Sequence, residues 1–496
     1  MLVVDVNKEK YEYDIHSLVK AFYPDETVKV LTPMVAKERR EEWEKYIAFV
    51  MEMEEDHALI KVAETTENPE LKVFAGQSFA WELTTGDMAA KKNTLKQFLY
   101  KTLVQITGRT LPWGNLTGIR PTKIAMGLLE EGKSEKEIEN FMMEEHFVSS
   151  KKALLSIDIA KREKELLSKI HYENGYSLYI GIPFCPTTCL YCSFTSNPIC
   201  KWRDRVDEYI DCLIRELDYV KEYFSDKILD TVYIGGGTPT TLTDVQLDRL
   251  ITAVKERLDL SHVKEFTVEA GRADSITEEK LLVLKKHGID RISVNPQTMK
   301  DETLKLIGRQ HTVAQVKDAF SLARKVGGFN INMDIILGLP GESKEDVADT
   351  VAQIKELAPD SLTVHSLAIK RASRLAQWIT ENGMDTLKNT DATMEIAAKG
   401  AAEMGMHPYY LYRQKNMSGN FENVGYAKEG NFGIYNILIM EEKQTIVALG
   451  AGSITKRVFP DGRIERCENI KDVKLYLEKI DEMIERKRLL FDESLS

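Results

Sequence analysis

The chain has 496 residues, 43% of them apolar, and a formal net charge of −11. That length suggests about three domains at roughly 100–200 residues each, and the acidic balance leaves no electrostatic footprint for nucleic acid. No apolar run approaches the roughly 18–20 residues that cross a bilayer, and six cysteines are too few for a disulfide scaffold.

The N-terminus, MLVVDVNKEKYEYDI, carries acids where a secretory signal would place an apolar block, so a cytoplasmic location is expected. Alternation in LVVDV and YEYDIHSLV predicts short strands, as it does in YIAFVMEM near 46–53 and HALIKVAE near 57–64. From about 89 to Lys169 the pattern is helical, broken by the turn-rich PWGNLTGIRP at 112–121. HYENG at 171–175 reads as a linker. Residues 1–170 are expected to form an N-terminal accessory α+β domain.

A regular rhythm follows. β-type runs at 176–182, 230–235, 264–270, 290–295, 329–336 and 361–368 alternate with helical patterns near 204–224, 244–258, 276–287, 313–326 and 343–357. The stripe Val206, Tyr209, Ile210, Leu213, Leu217, Val220 is the clearest helical face. Six strands joined by helices predict an α/β fold, a parallel sheet curled into a partial (β/α)6 TIM-like barrel over 171–385. The working residues of such a fold sit at the C-terminal ends of its strands. From 386 to 496 the rhythm gives way to a C-terminal mixed α/β unit, with helices near 390–404 and 470–488 and a hairpin turn at Pro460-Asp461-Gly462.

The first strand leads into Cys185, Cys189 and Cys192, spaced C-x₃-C-x₂-C on one loop. Thiolates suit iron–sulfur clusters or zinc. Three cysteines hold three irons of a [4Fe–4S] cube and leave the fourth iron open to another ligand. Zinc is the alternative, with Cys200 as a fourth ligand. Cys212 and Cys467 read as structural thiols. After the second strand come Gly235-Gly236-Gly237-Thr238, where backbone can approach a ligand closely. Glu269, Gln297, Arg309 and Asp334 follow at or near later strand ends. Each alone is a common cap or surface group. Together they form a ring of donors and acceptors suited to a polar cofactor with an amino group, a carboxylate and a ribose.

The cysteine spacing followed by GGGTP resembles the radical S-adenosylmethionine (SAM) superfamily. YIGIPFC, GGGTPTTL, TVEA, DRISVNPQ, IGRQH, NINMDIILGLPGES and ALGAGS resemble the oxygen-independent coproporphyrinogen III oxidase family, which includes decarboxylases, haem chaperones and haem-ring-opening methyltransferases. CPTTCLYCSFTSNP and PWGNLTGIRPTKI are similar to its HemZ-type branch. The resemblance implies a radical SAM enzyme of haem biosynthesis that decarboxylates two propionates of coproporphyrinogen III oxidatively to give protoporphyrinogen IX. A haem chaperone or a radical SAM haem-modifying methyltransferase is the alternative. It implies a [4Fe–4S] cluster on Cys185, Cys189 and Cys192. It implies SAM contacts from Tyr179, Gly236, Gly237, Thr238, Glu269, Gln297, Arg309, Asp334 and Ala368.

The implied partners are a tetrapyrrole and an electron donor such as a flavodoxin or ferredoxin, with no nucleic acid and no membrane; a monomer is the default. Three departures stand out. Gly181 replaces a histidine of the decarboxylases, Phe194 replaces their fourth cysteine, and Gly433-Ile434-Tyr435-Asn436-Ile437 lacks the histidine and tryptophan of the chaperones. His365 and His407 remain as candidate haem ligands, and Tyr412 and Arg413 as a substrate-covering turn. Lys370, Arg371, Arg120 and Lys123 are candidate cations for a tetra-anionic substrate.

Overall fold

The computed structural model describes residues 1–83, 86–193, 196–370, 373–383, 387–414 and 421–492. The chain divides into two compact units: Met1–Ala160 with Arg413–Glu422, and Lys161–Tyr412 with Asn423–Ser496.

The first unit holds strands β1 (Leu2–Val6), β2 (Val28–Leu31), β3 (Ile47–Met53), β4 (His57–Val62) and β5 (Ser78–Glu82), ordered β2-β1-β3-β4-β5. β1 runs parallel to β2 and β3, whereas β3, β4 and β5 are antiparallel. YEYDIHSLV, expected as strand, is instead part of a helix, Glu12–Phe22. It buries Ile15, Leu18, Val19 and Phe22, a spacing of three and four that outweighs the short alternation. Topology agrees, because two parallel neighbours need a crossover. This helix shares one core with the sheet and with helix Met88–Thr107 through Phe49, Ile60, Leu95, Leu99 and Leu103. Within PWGNLTGIRP, Trp113 is fully buried and its indole N–H donates to Glu422 Oε2 at 2.7 Å. Lys152 pairs with the other oxygen of Glu422, and Arg413 donates to the Leu116 carbonyl at 2.6 Å.

The second unit contains β6 (Gly175–Ile182), β7 (Phe184–Cys185), β8 (Asn197–Pro198), β9 (Ile228–Gly236), β10 (Glu265–Glu269), β11 (Arg291–Ser293), β12 (Asn330–Leu337) and β13 (Ser361–Ser366). β14 (His407–Tyr412), β15 (Asn423–Ala427), β16 (Thr445–Leu449), β17 (Ile454–Val458) and β18 (Ile464–Glu468) complete it. The six strands expected from sequence are β6 and β9–β13, and they are parallel neighbours in chain order. Helices Val206–Tyr223, Asp244–Arg257, Glu278–Lys286, Val313–Val326 and Lys344–Leu357 make the crossovers. The first buries the whole predicted stripe from Val206 to Val220. Reciprocal capping boxes at Thr243, Thr312 and Ser343 start three of the others.

Among the described residues the sheet is open, its end strands β14 and β18 not pairing with each other. Strands β14–β18, from the stretch 386–496 expected as a unit of its own, extend this same sheet on both sides. β15 and β14 add antiparallel beside β13, and β16 adds parallel beside β6, followed by β17 and β18. The physical reason is edge satisfaction: β6 and β13 would otherwise expose unpaired backbone groups. The predicted hairpin is present, with Phe459 N–H donating to Arg463 O at 2.9 Å. The helix expected over 470–488 forms as two, Val473–Glu478 and Ile480–Phe491. The HYENG segment is anchored rather than free, since His171 N–H donates to buried Asp230 at 3.0 Å. Among the described residues, no helix is long and apolar enough to cross a membrane.

Candidate functional site

β6 ends at Ile182, and the cysteine loop begins at once. The Gly237 N–H donates to Ile182 O and the Thr238 N–H to Phe184 O, each at 2.7 Å. These bonds lay the glycine turn after β9 along the start of the cysteine loop. A Cβ on Gly237 would stand 2.7 Å from Phe184 O and 3.0 Å from Cys185 Sγ, so the approach requires glycine. Thr238 Oγ1 lies 3.4 Å from Cys185 Sγ. Farther along, Leu190 N–H donates to Ile307 O at 2.9 Å and Thr187 Oγ1 to Gly308 O at 3.0 Å. Cys185 and Cys189 are buried, Cys192 is half-buried, and none of the three is in a disulfide. Among the described residues, no group of three or more His, Cys, Asp or Glu is disposed to hold a single metal ion. A four-iron cube makes a different demand, because each cysteine takes its own iron. Cys212 and Cys467 are buried thiols; burial pushes Cys212 up to about 11.

Next to this loop the parallel strands line a polar hollow. Tyr179 on β6, Tyr233 on β9, Glu269 on β10, Asp334 on β12 and His365 on β13 are half-buried among buried neighbours. Tyr233 OH donates to Glu269 Oε1 at 2.5 Å, and its ring stacks with Tyr179 at 6.2 Å. Asn332 Nδ2 donates to Asp334 Oδ1 at 2.7 Å, and His365 Nε2 stands 3.7 Å from Asp334 Oδ2. Tyr412 OH lies 3.5 Å from His365 Nδ1. Tyr435, from helix Ile434–Glu441, stacks on Tyr233 at 4.4 Å and on Tyr179 at 6.2 Å. Desolvation, with repulsion from Asp334, pushes the Glu269 carboxyl up to about 7 against the opposing Tyr233 bond. Burial also acts upward on Asp334, but His365, Asn332 and Thr363 outweigh it and hold that carboxyl below its usual range.

Gln297 adopts the left-handed region at φ 70°, held by Gln297 N–H to Asp334 O and Ile336 N–H to Gln297 O, both at 2.9 Å. Such a conformation is costly for a residue with a side chain and concentrates at functional sites. Arg309 donates to Gly271 O at 3.0 Å, Asn295 O at 2.8 Å and Tyr191 OH at 3.2 Å. Its terminal nitrogens are thus committed to backbone and to the cysteine loop, and its Nε is the one left unpartnered. Gln297 Oε1, Asn295 Oδ1 and Ser293 Oγ are likewise buried without a partner. Orphaned polar atoms at strand ends, a glycine cradle and three cysteines on one loop fit a thiolate-held cluster with a polar cofactor beside it.

The structure therefore groups Tyr179, Glu269 and Asp334 in one ring and sets Gly236, Gly237 and Thr238 against Cys185. It ties Gln297 to Asp334 through backbone and Arg309 to the loop through Tyr191. Ala368 is half-buried just beyond β13. Tyr233, Tyr435 and the trio Arg272, Asp274 and His311 were missed by sequence reasoning. Tyr233 had a signal, since it stands two residues before the glycine run and in register with Tyr179. Gly181 is buried, and a Cβ there would sit 3.3 Å from both Leu449 O and the Tyr179 ring, a tight approach that any larger side chain would need these neighbours to yield to. Lys370 is half-buried, and burial lowers its ammonium; His407 is exposed. Arg413, Arg120 and Lys123 belong to the first unit. Phe194 and Arg371 lie outside the described residues. ALGAGS packs against the end of β6: Tyr209 OH donates to Gly181 O at 2.7 Å and accepts from Ala451 N–H at 2.9 Å. An open cleft of about 1010 Å³ includes Thr187, Thr188, Cys200, Lys201, Lys305 and Arg374 in its lining, and none of the three clustered cysteines.

The model of the radical SAM superfamily matches residues 179–354. The chain is 42% identical over 402 residues to the oxygen-independent coproporphyrinogen-III oxidase-like protein HemZ of Bacillus subtilis, covering 80% of each chain. It is 31% identical over 290 residues to the heme chaperone HemW of Escherichia coli, covering 58% of this chain and 72% of that one. The solved coproporphyrinogen III oxidase HemN of Escherichia coli, a radical SAM enzyme, matches with a TM-score of 0.50 at 21% identity, over 67% of this chain and 73% of that one. That last match bears on the fold, which it shares. The radical SAM family uses a [4Fe–4S] cluster and SAM. The chain belongs to the radical SAM superfamily, within the family of HemN- and HemZ-like oxygen-independent coproporphyrinogen III oxidases.

Proposed function

We propose that this protein is a coproporphyrinogen III dehydrogenase, converting two propionates to vinyl groups with loss of CO₂. The observation that carries the reading is the ring of half-buried Tyr179, Tyr233, Glu269, Asp334 and His365 beside the three-cysteine loop, in a chain similar to HemZ over most of its length. The segment Gly433-Ile434-Tyr435-Asn436-Ile437, the nearest match to the chaperones' histidine-bearing stretch, supports it too. Here Tyr435 is buried and stacked under the hollow, where it serves packing rather than metal ligation.

When bound, the cluster and SAM supply one-electron reductive cleavage to a carbon radical that abstracts hydrogen from the substrate. The chain's own residues do the rest. Cys185, Cys189 and Cys192 hold the cluster. Gly236, Gly237 and Thr238 bring a side-chain-free stretch of backbone and a hydroxyl beside it, with the Gly237 and Thr238 N–H groups holding the turn to Ile182 O and Phe184 O. Asp334, kept ionised by His365 and Asn332, accepts hydrogen bonds from an ammonium or ribose hydroxyl. Glu269, poised near neutrality, accepts or shares a proton with Tyr233 at the same face. Gln297, Arg309 and Ala368 close the ring. The tyrosine floor excludes water from a reactive radical. The proposed electron donor is an acidic carrier such as a flavodoxin or ferredoxin, which the exposed Lys201, Lys305 and Arg374 around the cleft would favour.

The test is anaerobic incubation of reconstituted protein with SAM, a reductant, an electron acceptor and coproporphyrinogen III, followed by mass spectrometry of the porphyrins. A product lighter by two CO₂ and four hydrogens is expected. Unchanged substrate with intact SAM cleavage would remove this substrate. A mass gain on haem would assign the chain to methyl transfer, and stoichiometric haem binding without turnover would assign it to haem delivery.

A further inference from the structure

Arg272 lies two residues beyond the end of β10's TVEA run and is almost wholly buried, at 3% exposure. Its guanidinium has a divided task. Nη1 donates to Thr187 Oγ1 at 3.0 Å and lies 3.8 Å from Cys189 Sγ, within reach of a sulfur hydrogen bond. Nε and Nη2 form a fork on Asp274 at 2.9 and 2.7 Å. His311, also buried, stands 3.5 Å from the same Asp274 oxygen that Nε uses. One face of the arginine is therefore fixed by a carboxylate, and the other is aimed at the cysteine loop. The Tyr191 hydroxyl approaches Cys189 as well and is itself held by Arg309. The three cysteines are not equivalent: Cys185 meets a hydroxyl at 3.4 Å, whereas Cys189 meets a buried guanidinium.

A donor aimed at a cluster thiolate stabilises the extra negative charge that arrives with an electron, and it does so more strongly where water is excluded. The planar fork of arginine allows the two-sided grip, which the point charge of lysine cannot reproduce. We propose that Arg272, oriented by Asp274, is a positioning residue for the iron–sulfur cluster: it holds the loop at Thr187 and raises the cluster's reduction potential through Cys189. This rests on the cluster ligands assigned above and not on the substrate.

The experiment uses the full chain, reconstituted anaerobically, without SAM or porphyrin. Iron and acid-labile sulfide per chain are measured first. The one-electron midpoint of the cluster is then followed by electron paramagnetic resonance, with titanium(III) citrate as the source of the single electron; no proton transfer is involved. Arg272→Gln is expected to retain the cluster and shift the midpoint to more negative potential. Arg272→Lys is expected to shift it in the same direction by less. Thr187→Val, which removes the loop hydroxyl but leaves the guanidinium beside Cys189, is expected to keep the wild-type midpoint. A fully loaded Arg272→Gln protein with the wild-type midpoint would overturn the proposal. So would a Thr187→Val shift as large as that of Arg272→Gln. If Arg272→Gln does not fold, Arg272→Lys carries the test, and failure of both to fold would leave Arg272 a structural role only and overturn the electronic one. None of these outcomes depends on coproporphyrinogen turnover, so they are separable from the proposed function.

Discussion

Gly237→Ala tests the junction between the glycine turn and the cysteine loop. The added Cβ would sit 2.7 Å from Phe184 O, 3.0 Å from Cys185 Sγ and 3.0 Å from Ile182 O, where ordinary contact begins at 3.4 Å. Two of these neighbours are backbone on β6 and its continuation, and they are bonded to the turn itself through Gly237 N–H and Thr238 N–H. Neither can swing aside as a flexible side chain does. Overpacking of this kind costs about 1–3 kcal/mol. At about 1.4 kcal/mol per factor of ten, about 5- to 150-fold fewer molecules would hold the loop in its native geometry. The assay is iron and acid-labile sulfide per chain after anaerobic reconstitution, together with unfolding of the apoprotein. Gly127→Ala is the comparison, because nothing lies within 4 Å of the Cβ it would add. Gly237→Ala is expected to lose most of its cluster and Gly127→Ala to keep it. Full loading and unchanged stability in Gly237→Ala would refute the reasoning about the shared wall.

Lys487→Met is expected to cost about 3–5 kcal/mol in denaturant unfolding, because it strands fully buried Glu216, which also serves Asn469, Tyr476 and Gly450 N–H; Glu216→Leu with Lys487→Met should cost less than Lys487→Met alone. Tyr435→Ala should cost about 3–5 kcal/mol by removing the ring stacked 4.4 Å from Tyr233, and calorimetry should find weaker SAM binding, whereas Tyr435→Phe should behave as wild type. Glu269 sets a pH dependence. Its carboxyl is pushed up to about 7 in the folded chain against 4.5 ordinarily, so the folded state holds the proton that the unfolded state releases. Apoprotein stability should fall as pH rises from about 4.5 to 7, and Glu269→Gln should flatten that slope in unfolding curves measured across the window.

Much of the fold was legible because the parallel strands are short β-type runs separated by helices of ordinary length. The crossover helix Val206–Tyr223 shows its buried stripe directly in the sequence. Glu12–Phe22 was misread because nine residues of alternating polarity satisfy a period of two and of 3.6 about equally, and only the parallel pairing of β1 and β2 decides between them. The placement of β14–β18 was not legible at all. Which sheet edge a later strand joins is a tertiary matter, settled by the unpaired edges of β6 and β13. Within the candidate site, the cysteines, the glycine turn, Glu269 and Asp334 announce themselves by spacing and position. Arg272 does not: its importance comes from burial between Asp274 and Cys189, which no local pattern encodes. Arg309 was visible as a polar residue near a strand end, but its grip on Gly271 O, Asn295 O and Tyr191 is a long-range arrangement.

The measurement that bears most directly on the central claim uses coproporphyrinogen III carrying deuterium on the propionate carbon that bears the ring. The deuterium content of the 5′-deoxyadenosine formed during anaerobic turnover is read by mass spectrometry. The account predicts one deuterium per 5′-deoxyadenosine and one CO₂ released for each. Unlabelled 5′-deoxyadenosine, formed at the same rate with and without the porphyrinogen, would contradict it.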